Sequence, residues 1–264
     1  MNLGLQGKQA VVTGSTAGIG LAIASVLAEE GVRVVVNGRT EARVAAAIDS
    51  IRQRCKSPEV RGIAADLGDS KGVAEFIQQV PGADILVNNL GIFEPKPFLE
   101  IPDADWIRFF AVNVLSGVRL TRHFLPGMLR KNWGRVIFMS SESAQQIPSE
   151  MIHYGMTKTA QVAIARGLAE SVAGTGVTVN SVLPGPTTSE GVTSFVQDMA
   201  RHKGISIAEI EKQFFATVRP SSLLKRFETP DEVAAVVAFV ASAQGAVING
   251  AAVRAEGGII RSIL

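Results

Sequence analysis

The sequence predicts an α/β fold, a doubly wound parallel sheet of about seven strands with helices on both faces. Short β-branched segments alternate with longer segments whose apolar residues recur at helical spacing, from residue 9 to residue 254. Strands that alternate with helices are expected to pair in parallel, because parallel strands need long crossover connections. The 264 residues, 47% of them hydrophobic, are enough to bury one large core.

The first half of the chain shows this alternation most clearly. A strand is predicted at 9–13, and the helix at 19–30 that follows it is ended by Gly31. Further strands and helices are predicted, in order, at 33–37, 41–54, 60–65, 71–79 and 84–87. Each helix is long enough to return the chain to the start of the next parallel strand.

The second half continues the pattern with one interruption. The predicted elements are a long helix at 105–130, then segments at 135–140, 154–173, 177–182, 231–241 and 251–254. No linker rich in Pro, Gly or Ser divides the chain, so residues 1–264 are predicted to form a single domain. The interruption, at about 185–230, is predicted to be a substrate-loop insertion, since long insertions are usually lids or binding loops.

Two short amphipathic helices are predicted inside this insertion. Their apolar faces would be formed by Val192, Phe195, Val196 and Met199, and by Ile207, Ile210 and Phe214. These faces either close over an apolar substrate or only pack on the sheet.

Charge and composition favour a small-molecule partner. Twenty-six basic and twenty-four acidic residues are scattered along the chain, so neither nucleic acid nor an anionic membrane is expected to bind. No apolar run approaches the roughly 18 residues of a membrane span, and the N-terminus lacks a signal peptide, which predicts a cytoplasmic protein. The one cysteine, Cys55, cannot form an internal disulfide, and no metal site is predicted.

A glycine-rich turn follows the first strand and leads into a helix. It reads Thr13-Gly-Ser-Thr-Ala-Gly-Ile-Gly20, with glycines at 14, 18 and 20. Glycines let the backbone approach a pyrophosphate closely, and the helix N-terminus offers unpaired N–H groups and a positive dipole end. The turn therefore predicts a dinucleotide-binding site, and the alternative is a merely tight turn.

A second motif combines a phenol with an ammonium group. Tyr154 and Lys158 lie one helical turn apart, so the ammonium is expected to stabilise the phenolate and bring its pKa towards neutrality. Thirteen residues before Tyr154, a buried-type strand ends in Ser140 and Ser141, and Asn113 lies in the long helix upstream. Taken singly, these residues read equally as a core tyrosine, a surface lysine, a capping hydroxyl and a buried amide.

Together, these motifs resemble the short-chain dehydrogenase/reductase family, in its compact single-domain branch, and are similar to 3-oxoacyl-carrier-protein reductases. The resemblance implies a Rossmann-type fold and hydride transfer between a nicotinamide cofactor and a carbonyl or secondary alcohol. It implies that Tyr154 is the general acid/base and that Ser141, and not Ser140, donates to the substrate oxygen. Lys158 would bond the nicotinamide ribose, and Asn113 would help to hold a water in a proton relay.

The resemblance also implies cofactor contacts at the strand ends. The residues expected to make them are Gly14, Ser15, Thr16, Gly18, Ile19, Gly20, Arg39, Asp66, Leu67, Asn89, Gly91, Tyr154, Lys158, Pro184, Gly185 and Thr188. Ser15, Ile19 and the nearby backbone would hold the phosphates, Asp66 would meet the adenine, and residues 88–91 would line the adenine-ribose side. The alternative for Asp66 is a helix cap. The segment near Gly185, with the Thr188 hydroxyl, would anchor the carboxamide.

The choice of cofactor depends on charge after the second strand. Arg39 stands there, and no carboxylate follows until Glu41, which favours NADP(H) because an arginine pairs with a 2′-phosphate. NAD(H) is the alternative, since Ala17 stands where NADP-using relatives often have a second basic residue. Arg39 alternatively is a solvated turn residue.

Several further features remain open. The resemblance implies a homo-oligomer, a tetramer or dimer, and the apolar tail at 259–264 is expected to be buried against a neighbour. Three basic residues, Arg219, Lys225 and Arg226, either attract a phosphopantetheine or coenzyme A ester or form a solvated face. Residues flanking the catalytic motif, such as Glu142 and His153, are candidates to line the pocket. The alternative function for the whole chain is a non-catalytic NADP(H)-binding sensor or regulatory protein.

Overall fold

The computed structural model describes residues 2–263, except for the side chains of seven residues between 190 and 199. Three of these, Phe195, Val196 and Met199, belong to a predicted apolar face. That part of the prediction therefore lies outside the described residues. The described part contains seven parallel strands: β1 (Gln9–Val12), β2 (Arg33–Gly38), β3 (Val60–Ala64), β4 (Ile85–Asn88), β5 (Gly134–Met139), β6 (Val177–Pro184) and β7 (Ala252–Ala255). They form one sheet in the order β3-β2-β1-β4-β5-β6-β7.

Nine α-helices of the described residues surround the sheet. They are α1 (Gly18–Glu29), α2 (Glu41–Arg54), α3 (Ser70–Gln79), α4 (Asp103–Phe110), α5 (Ser116–Arg130), α6 (Ile152–Ser171), α7 (Glu190–Lys203), α8 (Ile207–Thr217) and α9 (Pro230–Ala241). Within the described chain, none is both long and apolar enough to cross a membrane. The predicted doubly wound α/β fold is confirmed, with element ends that differ from the predictions by one or two residues in most cases.

Alternation along each strand builds two cores, one on each face of the sheet. In β1, Ala10 and Val12 pack with residues of α1, α2 and α9, whereas Val11 packs with residues of α3, α5 and α6. All three side chains are fully buried, as expected for a sheet covered on both faces.

The strand order fixes where the functional residues meet. β1 pairs in parallel with both β2 and β4, so the direction of strand progression reverses between β1 and β4. In open α/β sheets, ligands bind outside the carboxyl ends of the strands at such a switch point. Every segment that carries a predicted site residue after a strand emerges at this edge.

The segment predicted as one long helix is helical throughout, but it contains an irregular turn. It begins at Asp103 and is interrupted by a π-helical turn at Ala111–Leu115, which separates α4 from α5. Such a turn holds one extra residue and is often found at functional sites. Apolar spacing does not reveal it, so the sequence predicted a single regular helix. Asn113 lies at its centre.

The insertion forms its own small core. The predicted helices are present as α7 and α8, and the cluster they share is made of Ala200, Ile210, Phe215 and Phe227, with Val192, Ile205 and Phe214 packed against it. Ile207 is exposed and lies outside this cluster. Among the described side chains, those of this cluster therefore pack within the insertion itself.

The C-terminal tail packs on its own chain. Ile259 and Ile260 are buried, and Glu256 accepts hydrogen bonds from the backbone N–H groups of both. Their predicted burial against a neighbouring chain is thus wrong. Ile263 is exposed, and Leu264 lies outside the described residues.

Candidate active site

The glycine-rich turn depends on its glycines for two different reasons. Gly14 and Gly18 have φ angles of +59° and +53°, a conformation that favours glycine. At Gly20 the reason is space, because a Cβ there would lie 2.4 Å from Asn89 Nδ2 and 2.5 Å from the Gly14 carbonyl oxygen. The same Asn89 amide donates to the carbonyl oxygens of Thr13 (2.9 Å) and Gly14 (3.0 Å). Asn89 therefore ties the turn after β1 to the end of β4.

Ser15 lies inside the turn and not on its open side. Its hydroxyl donates to the Val12 carbonyl (2.7 Å) and accepts from the Asn37 N–H (2.9 Å), and its own N–H donates to the Asn37 carbonyl (2.9 Å). The side chain is fully buried. The predicted phosphate contact of Ser15 is thus corrected: its donors are already used to join β1 to β2.

The open side of the turn fits a phosphate group. Ala17 precedes α1 and offers no side-chain acceptor to the first N–H groups of the helix, and the first turn of α1 contains no acidic residue. Thr16 and Ile19 are partly exposed beside these N–H groups. An anion would satisfy the free donors and the positive end of the helix dipole.

Two arginines stand beside the turn at the end of β2. Arg39 is exposed, and Gly38 packs so closely that a Cβ there would lie 2.4 Å from Thr16 Cγ2. Arg43, one helical turn further on, donates from Nε to Thr16 Oγ1 at 3.4 Å. Sequence reasoning missed Arg43, although its four-residue spacing from Arg39 was a usable signal.

The two predicted residues after β3 have different surroundings. Asp66 is exposed and accepts a hydrogen bond from the Gly68 N–H (2.9 Å). The residue that caps α3 is Asp69, which accepts from the Gly72 N–H (2.7 Å), so the cap alternative for Asp66 is wrong. Leu67 is buried in the core, which leaves only its backbone for a cofactor contact.

The predicted catalytic residues lie together at the carboxyl edge of the sheet. Tyr154 is hydrogen-bonded to Ser141, and Lys158 Nζ stands 5.5 Å from the centre of the Tyr154 ring. The same Nζ donates to the Met139 carbonyl oxygen at 2.8 Å. α6 thus presents its phenol and ammonium group to the end of β5.

Asn113 borders the same site from the π-helical turn. Its side chain accepts from the Ile92 N–H (2.8 Å), and its main-chain carbonyl accepts from Gln161 Nε2 (2.7 Å). A Cβ on Gly91 would lie 3.5 Å from Lys158 Nζ and 3.6 Å from Asn113 Oδ1, so it would fill the space before both groups. Sequence reasoning missed Gln161, which follows Lys158 by three residues on the same helix face.

Burial and charge hold the phenol in its protonated form. The pKa of Tyr154 is raised above its ordinary value by burial and then by the negative charge of Glu142, against the effects of the Ser141 hydrogen bond and the Arg219 charge. This corrects the expectation that Lys158 brings the phenol pKa towards neutrality. Burial lowers the pKa of Lys158 itself to about 8, although Glu142 opposes the shift.

The three basic residues singled out in the insertion do not form one open patch. Arg219 is buried and forms an ion pair with Glu142, with Nε 3.0 Å from the carboxylate. Lys225 donates to a backbone carbonyl, and Arg226 pairs with Glu232 at 2.6 Å. The prediction that these residues attract a coenzyme ester or form a merely solvated face therefore does not describe Arg219.

The segment after β6 lies close to Glu228. Pro184 is buried at the end of β6, and a Cβ on Gly185 would lie 2.6 Å from Glu228 Oε1. The exposed Thr188 donates its hydroxyl to the Glu228 carbonyl oxygen at 3.2 Å. Burial raises the pKa of Glu228 to about 7. The segment predicted to anchor the carboxamide thus lies at this edge, and its Thr188 hydroxyl is bonded within the chain.

His153 is a core residue and not a pocket residue. Its ring centre lies 4.1 Å from that of Phe109 and 6.0 Å from that of Trp106. Neither ring nitrogen has a hydrogen-bond partner among the described residues, and burial lowers the His153 pKa below its ordinary value of 6.5. The histidine is therefore packed among aromatic side chains as a neutral core residue.

The fold and this cluster define a family. A model of the short chain dehydrogenase family matches residues 8–200. The chain therefore belongs to the short-chain dehydrogenase/reductase family, whose members are oxidoreductases that act on alcohol or carbonyl groups.

Individual relatives agree over the whole chain. The uncharacterized oxidoreductase YvaG of Bacillus subtilis is 49% identical over 263 residues, which cover 100% of both proteins. The 3-oxoacyl-[acyl-carrier-protein] reductase FabG of Aquifex aeolicus is 33% identical over 264 residues, covering 98% of this chain and 100% of that protein. The structure of L-sorbose reductase from Gluconobacter frateurii, complexed with NADPH and L-sorbose, matches 100% of both chains with a TM-score of 0.93 and 30% identity. The resemblance inferred from the motifs is confirmed.

We expect Gly20→Ala to weaken cofactor binding. The added Cβ would collide with Asn89 and with the backbone of Gly14, at a strain on the order of 1–3 kcal/mol, and so lower affinity by about tenfold or more. Titration of the protein with NADPH, followed by cofactor fluorescence, measures the change. The control is Gly167→Ala in α6, where a Cβ meets nothing within 4 Å. Equal affinities for Gly20→Ala and wild type would contradict the assignment of the turn.

His153→Leu is expected to change the pH dependence of stability. As the pH falls below about 6.5, the unfolded chain gains a proton that folded His153 does not accept, so the unfolding free energy of the wild type decreases. The variant lacks this loss. Urea unfolding at pH 7.5 and 5.5 measures it, and His202→Gln, an exposed site, should behave as wild type. A pH dependence in His153→Leu equal to that of the wild type would contradict the interpretation.

Proposed function

We propose that this enzyme transfers a hydride between NADP(H) and a carbonyl or secondary alcohol substrate, with Tyr154 as the general acid/base. The observation that carries the proposal is the cluster of Tyr154, Ser141, Lys158 and Asn113 at the carboxyl edge of the sheet. Membership of the family supports the type of reaction. A binding protein without turnover would not need this set of acid/base groups.

The proposed chemistry balances a hydride with a proton. In reduction, the hydride brings two electrons to the carbonyl carbon, and Tyr154 gives its phenolic proton to the oxygen, which yields an alcohol. When bound, the reduced nicotinamide supplies that hydride. Oxidation follows the same path in reverse. The raised pKa of Tyr154 supports the acid role at neutral pH, since the phenol then carries the proton that the oxygen needs.

The residues proposed to hold the cofactor follow the carboxyl edge. The backbone of the glycine turn, the first N–H groups of α1, Thr16 and Ile19 would contact the phosphates. Asp66 and Asn89 would lie on the adenosine side. Lys158 would bond the nicotinamide ribose in the space before Gly91, which supports positioning of the ring.

A preference for NADP(H) is proposed from the charge beside the turn. Arg39 directly follows β2, and Arg43 in the first turn of α2 is bonded to Thr16 of the glycine turn, so two cationic groups in this region would favour a 2′-phosphate. The NADPH complex of L-sorbose reductase supports binding of a nicotinamide cofactor of this kind. NAD(H) is the alternative. The homo-oligomer and the cytoplasmic location stay predictions.

A panel of ketones, aldehydes, keto sugars and 3-oxoacyl esters tests the function directly. Turnover with NADPH, followed by loss of cofactor absorbance, is the expected result. The similarity to an L-sorbose reductase and to a 3-oxoacyl-[acyl-carrier-protein] reductase supports including keto sugars and 3-oxoacyl esters. Cofactor binding with no turnover on any member would instead favour the sensor.

Tyr154→Phe is expected to abolish turnover while cofactor affinity stays nearly unchanged. Phenylalanine keeps the ring but has no proton to give, and a positioned acid typically contributes about 10²–10⁴-fold in rate. Steady-state kinetics on an active compound and NADPH titration separate the two effects. Substantial residual turnover would mean that another group supplies the proton.

Arg39→Asp is expected to weaken NADPH binding by about tenfold or more and to spare NADH. A charge-assisted contact to the 2′-phosphate is worth roughly 1.5–3 kcal/mol, and the introduced carboxylate would repel the phosphate. The ratio of kcat/KM values for the two cofactors is the measurement. Arg33→Asp, at the opposite end of β2, is the control. An unchanged ratio in Arg39→Asp would show that this arginine does not contact the 2′-phosphate.

A further inference from the structure

Glu142 is a buried carboxylate that is hydrogen-bonded to the side chain of the catalytic serine. It is 4% exposed and follows Ser141 in the chain. One of its oxygens accepts from the Ser141 hydroxyl and from the Ser143 N–H (2.9 Å), and the other accepts from Arg219 Nε (3.0 Å). A buried charge is tolerated only when it is paired and hydrogen-bonded, which this carboxylate is on both oxygens.

The counter-ion comes from the insertion. Arg219 lies two residues beyond α8, is 8% exposed, and is separated from Glu142 by 77 residues of sequence. Its Nη1 also donates to Glu150 (3.2 Å) and to the Val218 carbonyl oxygen (3.0 Å). The guanidinium thus joins the insertion to both ends of the segment that connects the catalytic serine to the catalytic tyrosine.

The bond from Ser141 to Glu142 decides what the serine can do for Tyr154. A hydroxyl carries one hydrogen, so a serine that donates to Glu142 has only its oxygen left for the phenol, and that oxygen also accepts from the Ser143 N–H (3.1 Å). Tyr154 must then be the donor in its bond with Ser141. To stabilise a tyrosinate, Ser141 would have to turn its hydrogen away from Glu142, which leaves a buried carboxylate with one bond fewer.

We propose that Glu142 and Arg219 are positioning residues for the catalytic hydroxyls. Glu142 accepts the Ser141 hydrogen and thereby keeps Tyr154 a proton donor. Arg219, from the insertion, holds that carboxylate in place. The proposal rests on the proposed function in treating Tyr154 as the acid. The arrangement keeps the phenolic proton of Tyr154 available for a carbonyl oxygen at neutral pH.

Several charged groups face the hydroxyls of Ser141 and Tyr154. They are Glu142 after β5, Glu150 before α6, Lys158 on α6, Arg219 after α8, and Glu228 before α9. Glu142 and Arg219 act on Tyr154 with opposite signs, the first raising the pKa of the phenol and the second lowering it. Removing one or the other should therefore move the ionisation of Tyr154 in opposite directions.

The composition of the chain allows that ionisation to be measured directly. Tyr154 is the only tyrosine, so the near-ultraviolet absorbance of tyrosinate reports this residue alone, and Tyr154→Phe provides the baseline. We expect Glu142→Gln to ionise Tyr154 at a pH lower by about one unit or more, and Arg219→Met at a higher pH. Arg219→Lys, which keeps the charge, should lie between Arg219→Met and wild type. The matched controls are Arg226→Met and Glu232→Gln, from an exposed ion pair of the same region, and both should titrate as wild type.

Kinetics give the second measurement. With NADPH and an active carbonyl compound, Glu142→Gln should move the alkaline fall in reduction rate to lower pH. An unchanged titration and pH profile in Glu142→Gln would overturn the proposal, as would Arg219→Met shifting in the same direction as Glu142→Gln. If Arg219→Met does not fold, the tyrosine titrations of Arg219→Lys and Glu142→Gln test the proposal. If the wild type turns over no compound, the proposed function fails, whereas the tyrosine titration still tests this inference.

Discussion

The attachment of α6 to the end of β5 is the constraint on which the site depends. Lys158 Nζ donates to the Met139 carbonyl oxygen, and the Ser140 hydroxyl donates to the Lys158 carbonyl oxygen, each at 2.8 Å. These two bonds fix the helix against the strand at the level where Ser141 leaves the sheet. Because Tyr154 lies one turn before Lys158, the same attachment sets its hydroxyl beside Ser141. Ser140 therefore has a positional role, whereas the Ser141 hydroxyl lies beside the phenol and donates to Glu142.

Charges buried around this attachment give the site its chemical character. Lys158, Glu142 and Arg219 are all nearly inaccessible to water, and each has partners within the protein. In such surroundings a charge acts strongly over short distances, because little water screens it. The phenol consequently responds to Glu142, which raises its pKa, and to Arg219, which lowers it. A motif that predicts the members of a site does not by itself predict their protonation.

The sequence predicted the sheet, the helices and most members of the site for a simple reason. Strand and helix periodicity, the glycines at 14, 18 and 20, and the spacing of Tyr154 and Lys158 are all local signals. Parallel topology then brings the strand ends to one edge, where Asn89 meets the glycine turn and Gly91 faces Lys158. The turn of the long helix at Ala111–Leu115 was missed, since a single extra residue leaves the apolar spacing almost unchanged.

Local signals thus determined the fold class and the positions of the glycines, the serine, the tyrosine and the lysine, since these depend on spacing within one or two neighbouring elements. Tertiary structure decided which donors remain free and which charges meet. Ser15 was an expected phosphate ligand, but its hydrogen bonds to β1 and β2 occupy it. Arg219 seemed to belong to a surface patch, but packing of the insertion buries it against Glu142. Such pairings join residues far apart in the chain, and only the packing of the whole domain brings them within bonding distance.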